Sequence, residues 1–153
     1  GSGGQTPGAN GGPIPAAPPA TTPSACSDRL APRSRASVRR SRVGHRRITV
    51  RGRSRDRGCA GLARVFVSIA REVGDRHERC RFLQANGRFS RARSCLRTSY
   101  LRARGTKRWT FTLRARVKRG RYKVWVRGVD RAGNVERKQH SRNFARLKRK
   151  RRG

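Results

Sequence analysis

Four cysteines, Cys26, Cys59, Cys80 and Cys95, are the residues of this chain best suited to covalent chemistry, and their number and spacing argue for crosslinks. An even cysteine count in a small chain with a modest core reads as a disulfide framework and an oxidising compartment. Cys80 and Cys95 flank one hairpin pattern. A bridge between them closes a loop of about 15 residues and is worth up to ~3 kcal/mol in the chain-entropy model. Cys26 and Cys59 then make the second pair, and the other two pairings stay open. Zinc is the competing use, since His77, Cys59, Cys80 and Cys95 offer one imidazole and three thiolates. No C-x-x-C supports it.

Asp28, Asp56 and Asp130 all fall in turn-like sequence at what should be one end of the fold. Three clustered carboxylates suit calcium, yet each aspartate serves equally well by bonding the amides of its own turn. No metal is expected, and these three are the calcium candidates. His45, His77 and His140 have no motif partners, and no nucleophile elbow, phosphate-cradling loop or H-E-x-x-H is present. Neither a catalytic residue nor a cofactor is expected, so the chain is not read as an enzyme.

Charge is the outlier. Lys+Arg total 42 against 7 Asp+Glu, a net +35 in 153 residues. Self-repulsion at that density makes a polyanion a natural partner. An arginine-rich, Met-free sequence with many Ala, Gly and Pro is also what a GC-rich genome produces without selection for binding. The candidate contacts are Arg51 and Arg53 in RGRSRDR, then Arg121, Lys123, Trp125 and Arg127 on one parity, then Lys148, Arg149, Lys150, Arg151 and Arg152. Trp125 would cover a sugar or a base, or rest under arginine stems.

These groups need a scaffold. Residues 1–25 hold no charge, six of the seven prolines and six of the seventeen glycines, and read as a disordered Gly/Pro/Ala/Thr-rich linker. The folded domain is expected over residues 26–147 and a basic tail over 148–153. Within the domain, apolar residues alternate with polar ones: Ile48 and Val50, then Val65, Val67 and Ile69, then Trp109, Phe111 and Leu113, then Tyr122, Val124 and Val126. That period belongs to half-buried strands, and these residues are the expected core. Gly52 continues an inner parity where a bulge or close approach is expected. About seven strands with frequent turn signals and no long helix predict an all-β antiparallel sandwich. No run of 18 apolar residues exists, so no membrane span is expected.

Three stretches in series, Trp109-x-Phe-x-Leu, Arg119-Gly-Arg-Tyr122-x-Val-x-Val and Asp130-Arg-Ala-Gly-Asn134, with Asp28-x-x-Ala-Pro32 at the entry, resemble bacterial immunoglobulin-like and fibronectin type III-like modules of secreted and surface proteins. The antibody pattern is not met, since no cysteine follows Tyr122 by two residues. The resemblance implies an immunoglobulin-like β-sandwich that acts as a non-catalytic spacer or adhesion module, beside neighbouring domains of a longer parent chain. Calcium between domains occurs in related modules. The expected location is extracellular or the cell surface, with any leader absent from this sequence. Expected partners are anionic wall polymers or glycans; the alternative is non-specific nucleic-acid binding.

Overall fold

The computed structural model describes residues 27–140 and 142–149, and these contain no helix. The linker expected over residues 1–25, Cys26, and Lys150, Arg151 and Arg152 lie outside them. The strands are β1 (Arg33–Val43), β2 (Arg47–Arg55), β3 (Leu62–Val73), β4 (Arg79–Phe82), β5 (Arg93–Ser94), β6 (Leu101–Arg102), β7 (Arg104–Gly105), β8 (Arg108–Arg114), β9 (Gly120–Asp130) and β10 (Phe144–Arg149). Seven of them have four residues or more, in line with the expectation of about seven strands. One antiparallel sheet has the order β1-β2-β8-β7; the other runs β10-β9-β3-β4-β5, with β6 paired to β3. Lys148 and Arg149, expected in a tail, are the last two residues of β10.

Period-two alternation packs the two sheets face to face. Ile48, Val50, Trp109 and Phe111 from the first sheet meet Val65, Val67, Ile69, Tyr122, Val124 and Val126 from the second in one cluster. Leu113 departs from the expectation: it is half-buried at the rim of that cluster. Its strand lies beside the open flank of the sandwich, where Leu113 lines a surface groove with Leu101 and Phe111.

Two inner positions explain how the layers approach. Gly52 pairs with Ala36 on one side and Trp109 on the other. A Cβ at Gly52 would lie 2.2 Å from the Arg35 carbonyl oxygen and 2.3 Å from the Trp109 ring, so only glycine lets the indole cross that row. Tyr122 is fully buried, and its hydroxyl donates to the Lys118 carbonyl four residues upstream.

The second sheet is apolar on its outer face as well. Trp125, Ala70, Phe82, Cys80 and Cys95 form a separate cluster, with Tyr100 and Phe144 packed against it. Cys80 and Cys95 are joined, as the hairpin spacing suggested. Their bridge packs with Phe82 and Trp125 on that outer face, and the Trp125 ring lies 5.9 Å from Phe82 and 5.5 Å from Phe144 between centroids.

Candidate polyanion-binding face

Because Ile48 and Val50 of β2 point inward, Arg47, Thr49, Arg51, Arg53 and Arg55 point outward. On β8, buried Trp109 and Phe111 leave Arg108, Thr110, Thr112 and Arg114 on the same outer side. Register then sets arginine against arginine. Arg33 faces Arg55, Arg35 faces Arg53, Arg53 faces Arg108, and Arg47 faces Arg114. A further row runs from Arg51 through Thr110 to Arg104. Residues directly opposite in an antiparallel pair have Cα atoms about 4.5–5.5 Å apart. Like charges directly opposite one another are destabilising.

Nothing within the four strands offsets this charge, since none contains an acidic residue. The acids are used elsewhere. Glu72 pairs with His77 at 2.8 Å and lies 4.0 Å from the Lys123 ammonium. Glu136, 1% exposed, accepts from the amides of Ser34 and Gly128 and pairs with His140, clamping β1 to β9. Asp75 and Glu78 are exposed in the turn between β3 and β4. Among the described residues no salt bridge contains an arginine.

A bulge deepens the face. The β1–β2 register shifts between Ser37 and Arg42. The Ser41 hydroxyl donates to the Ser37 carbonyl at 2.6 Å and accepts the Arg51 amide at 3.1 Å, which leaves Val38, Arg39 and Arg40 exposed. Arg35, Arg39, Arg40, Arg51, Arg53 and Arg108 surround a shallow depression of about 620 Å³.

Of the sequence candidates among the described residues, only Arg51 and Arg53 belong to this face. Arg121, Lys123 and Arg127 lie on the outer side of the opposite sheet, on the parity of Trp125. There the Lys123 ammonium donates to the His77 carbonyl, and the Arg127 guanidinium rests 5.2 Å from the centre of the Tyr100 ring. Trp125 must be corrected: it is 4% exposed, sealed under the β4 hairpin and Phe144, and its indole N–H donates to Gln139. It presents no face to a sugar or base. Lys148 sits opposite Arg121, while Arg149 donates to the Val117 carbonyl and to His45. Arg33, Arg35, Arg39, Arg40, Arg47, Arg55, Arg104, Arg108 and Arg114 were missed. Outward parity on β8 was the available signal for two of them; the pairing of β2 with β8, which unites the patch, has no local signature.

The metal candidates resolve differently. Asp28, Asp56 and Asp130 do converge, with one oxygen from each within 4.8 Å of the others. Oxygens so grouped could hold a hard divalent cation. Each carboxylate is nonetheless engaged by backbone amides: Asp28 by Leu30 in its own turn and by Ala60 in the loop after β2, Asp56 by Gly58 and Gly61, and Asp130 by Ala132 and Asn134. The Leu30 and Ala60 amides, with smaller help from hydrogen bonding to Asp130 and Asp56, hold the Asp28 carboxyl below its ordinary value against the cost of burial. The zinc set is not available, because Cys59, Cys80 and Cys95 are all disulfide-bonded. The Cys26 end of the expected second pair lies outside the described residues.

No protein-family model matches the chain, and no curated protein matches it. Among the described residues, no helix is long and apolar enough to cross a membrane.

Proposed function

We propose that the chain is a non-catalytic, extracellular immunoglobulin-like module that serves as a spacer or adhesion domain and binds anionic polymers through the outer face of β1, β2, β8 and β7. The observation that carries this is the acid-free sheet face with arginines in register opposite arginines. A folded protein gains nothing from such pairs by themselves, whereas a bound polyanion reverses their sign. Anionic wall polymers and glycans are the partners an adhesion module would meet.

Kinship with immunoglobulin-like modules has two supports. The order β1-β2-β8-β7 against β10-β9-β3-β4 follows the A-B-E-D against G-F-C pattern of that fold, with an added strand as in its variable type. The Tyr122 hydroxyl bonded to the Lys118 carbonyl resembles its tyrosine corner. Disulfides support an oxidising location.

The test is retention on immobilised anionic wall polysaccharide near physiological salt. The variant R35Q/R53Q/R108Q should elute at markedly lower salt than R121Q/R146Q/K148Q, which removes the same charge from the opposite sheet. Coincident elution of the two variants would mean that net charge alone does the binding, and the face would lose its role.

A further inference from the structure

Resting on that reading, we infer that the arginine face takes the phosphate backbone of double-helical nucleic acid, without reading its bases. The chemistry missing from the surface decides the class. All nine aromatic side chains, two Trp, two Tyr and five Phe, are buried or half-buried, and none is exposed. Single-stranded nucleic acids are held by bases stacked on aromatic platforms. Stacking of a neutral sugar ring is closed off in the same way, with Trp125 sealed, whereas an anionic glycan can still be held by charge alone. Between the arginines the face presents the hydroxyls of Ser37, Thr49, Thr110 and Thr112 and a single exposed aliphatic side chain, Val38 on the bulge. With no aromatic exposed there, recognition runs mainly through charge and the guanidinium fork.

Duplex nucleic acid fits those terms. It carries one negative charge per about 1.7 Å of its axis, on phosphates displayed at the surface while its bases stay stacked inside. The arginine fork matches phosphate oxygens two at a time, which an ammonium cannot do. Every cation of β1, β2, β7 and β8 is arginine. Successive outward residues recur at about 6.6 Å, and β1, 11 residues long, extends the face over roughly 35 Å, enough to meet several phosphates. The bulge adds exposed Arg39 and Arg40 beside the row Arg35, Arg53, Arg108.

The experiment is fluorescence anisotropy of the full chain with a labelled mixed-sequence duplex over a salt series. Unlabelled competitors are a second duplex of different sequence, the corresponding single strand, and chondroitin sulfate at matched anion concentration. Both duplexes should compete equally, and the single strand and the glycan several-fold less well. Each phosphate contact contributes about 0.9 to the slope of log K against log salt, so R35Q/R53Q/R108Q should lower the slope by roughly 2.7. R121Q/R146Q/K148Q should leave it nearly unchanged. Chondroitin sulfate or the single strand competing as well as duplex overturns the nucleic-acid assignment and leaves polyanion binding standing. Equal slope losses in the two variants overturn the face itself. Binding to none of these polymers removes both readings.

Discussion

Tyr122 connects sequence, packing and pH response in one side chain. Its ring fills the space between the sheets against Phe89, 6.1 Å away between centroids, and its hydroxyl reaches back to the Lys118 carbonyl. Burial raises its pKa from 10.0 to about 12, although Arg71, Arg149 and the bond to Lys118 pull the other way. The sign follows directly. A group whose folded pKa is raised contributes its stability in full below the unfolded value and loses it as pH climbs through the folded one. The fold should therefore weaken between about pH 10 and pH 12 as the phenol ionises in the unfolded chain. Tyr122→Phe should cost about 1 kcal/mol at pH 7, the net value of one hydrogen bond, and should flatten that alkaline decline. Urea denaturation at pH 7 and at intervals above pH 9.5 checks both; an unaltered alkaline slope in the variant would assign the decline to another group.

At the scale of elements, β8 and β9 were open to reading because each signals its own period. Trp109 and Phe111 alternate with threonine and arginine, and Tyr122, Val124 and Val126 do the same. Gly52 was legible for a similar reason, as a small residue on an inner parity. What a strand cannot announce is what lies over its far face. The parity of Trp125 was correct, but its cover comes from β4, Cys95 and Phe144, distant in sequence and fixed only by tertiary pairing. The arginine rows were hidden for the same reason, since β2 and β8 are sheet neighbours although most of the chain between them belongs to the other sheet. The cover is testable. Cys80→Ala with Cys95→Ala removes a crosslink of sequence separation 15. In the chain-entropy model this costs up to ~3 kcal/mol. If the bridge holds the hairpin down, the fluorescence of Trp125 should also shift to longer wavelength, while Trp109, inside the other cluster, should keep its blue-shifted emission. Trp109→Phe in the same background isolates the signal, and unshifted emission there would show that Phe82 and Phe144 alone hold the cover.

For the whole molecule, binding and stability should oppose each other. A net +35 strains every part of the surface, but the strain is greatest where register holds guanidinium groups side by side with no acid among them. Removing charge from such rows ought to strengthen the fold while weakening polyanion binding, the trade expected of residues kept for a ligand. R35Q/R53Q/R108Q should thus melt higher than the parent in ~10 mM salt. The opposite-sheet set Arg121, Arg146 and Lys148 is also cationic, with Lys148 facing Arg121 and Arg146 facing Lys123, but the nearby Glu72 relieves part of that repulsion. Its substitution by Gln should raise the melting temperature less. Screening supplies the control, because the Debye length falls from about 30 Å at 0.01 M to about 3 Å at 1 M. The advantage of the first variant should therefore shrink steadily as salt is added, and added duplex should stabilise the parent more than the variant. Calorimetric melts across that salt range give all three comparisons. Equal gains from the two substitution sets, persisting at 1 M salt, would mean that the arginines reflect composition alone and that the sheet face is not a site.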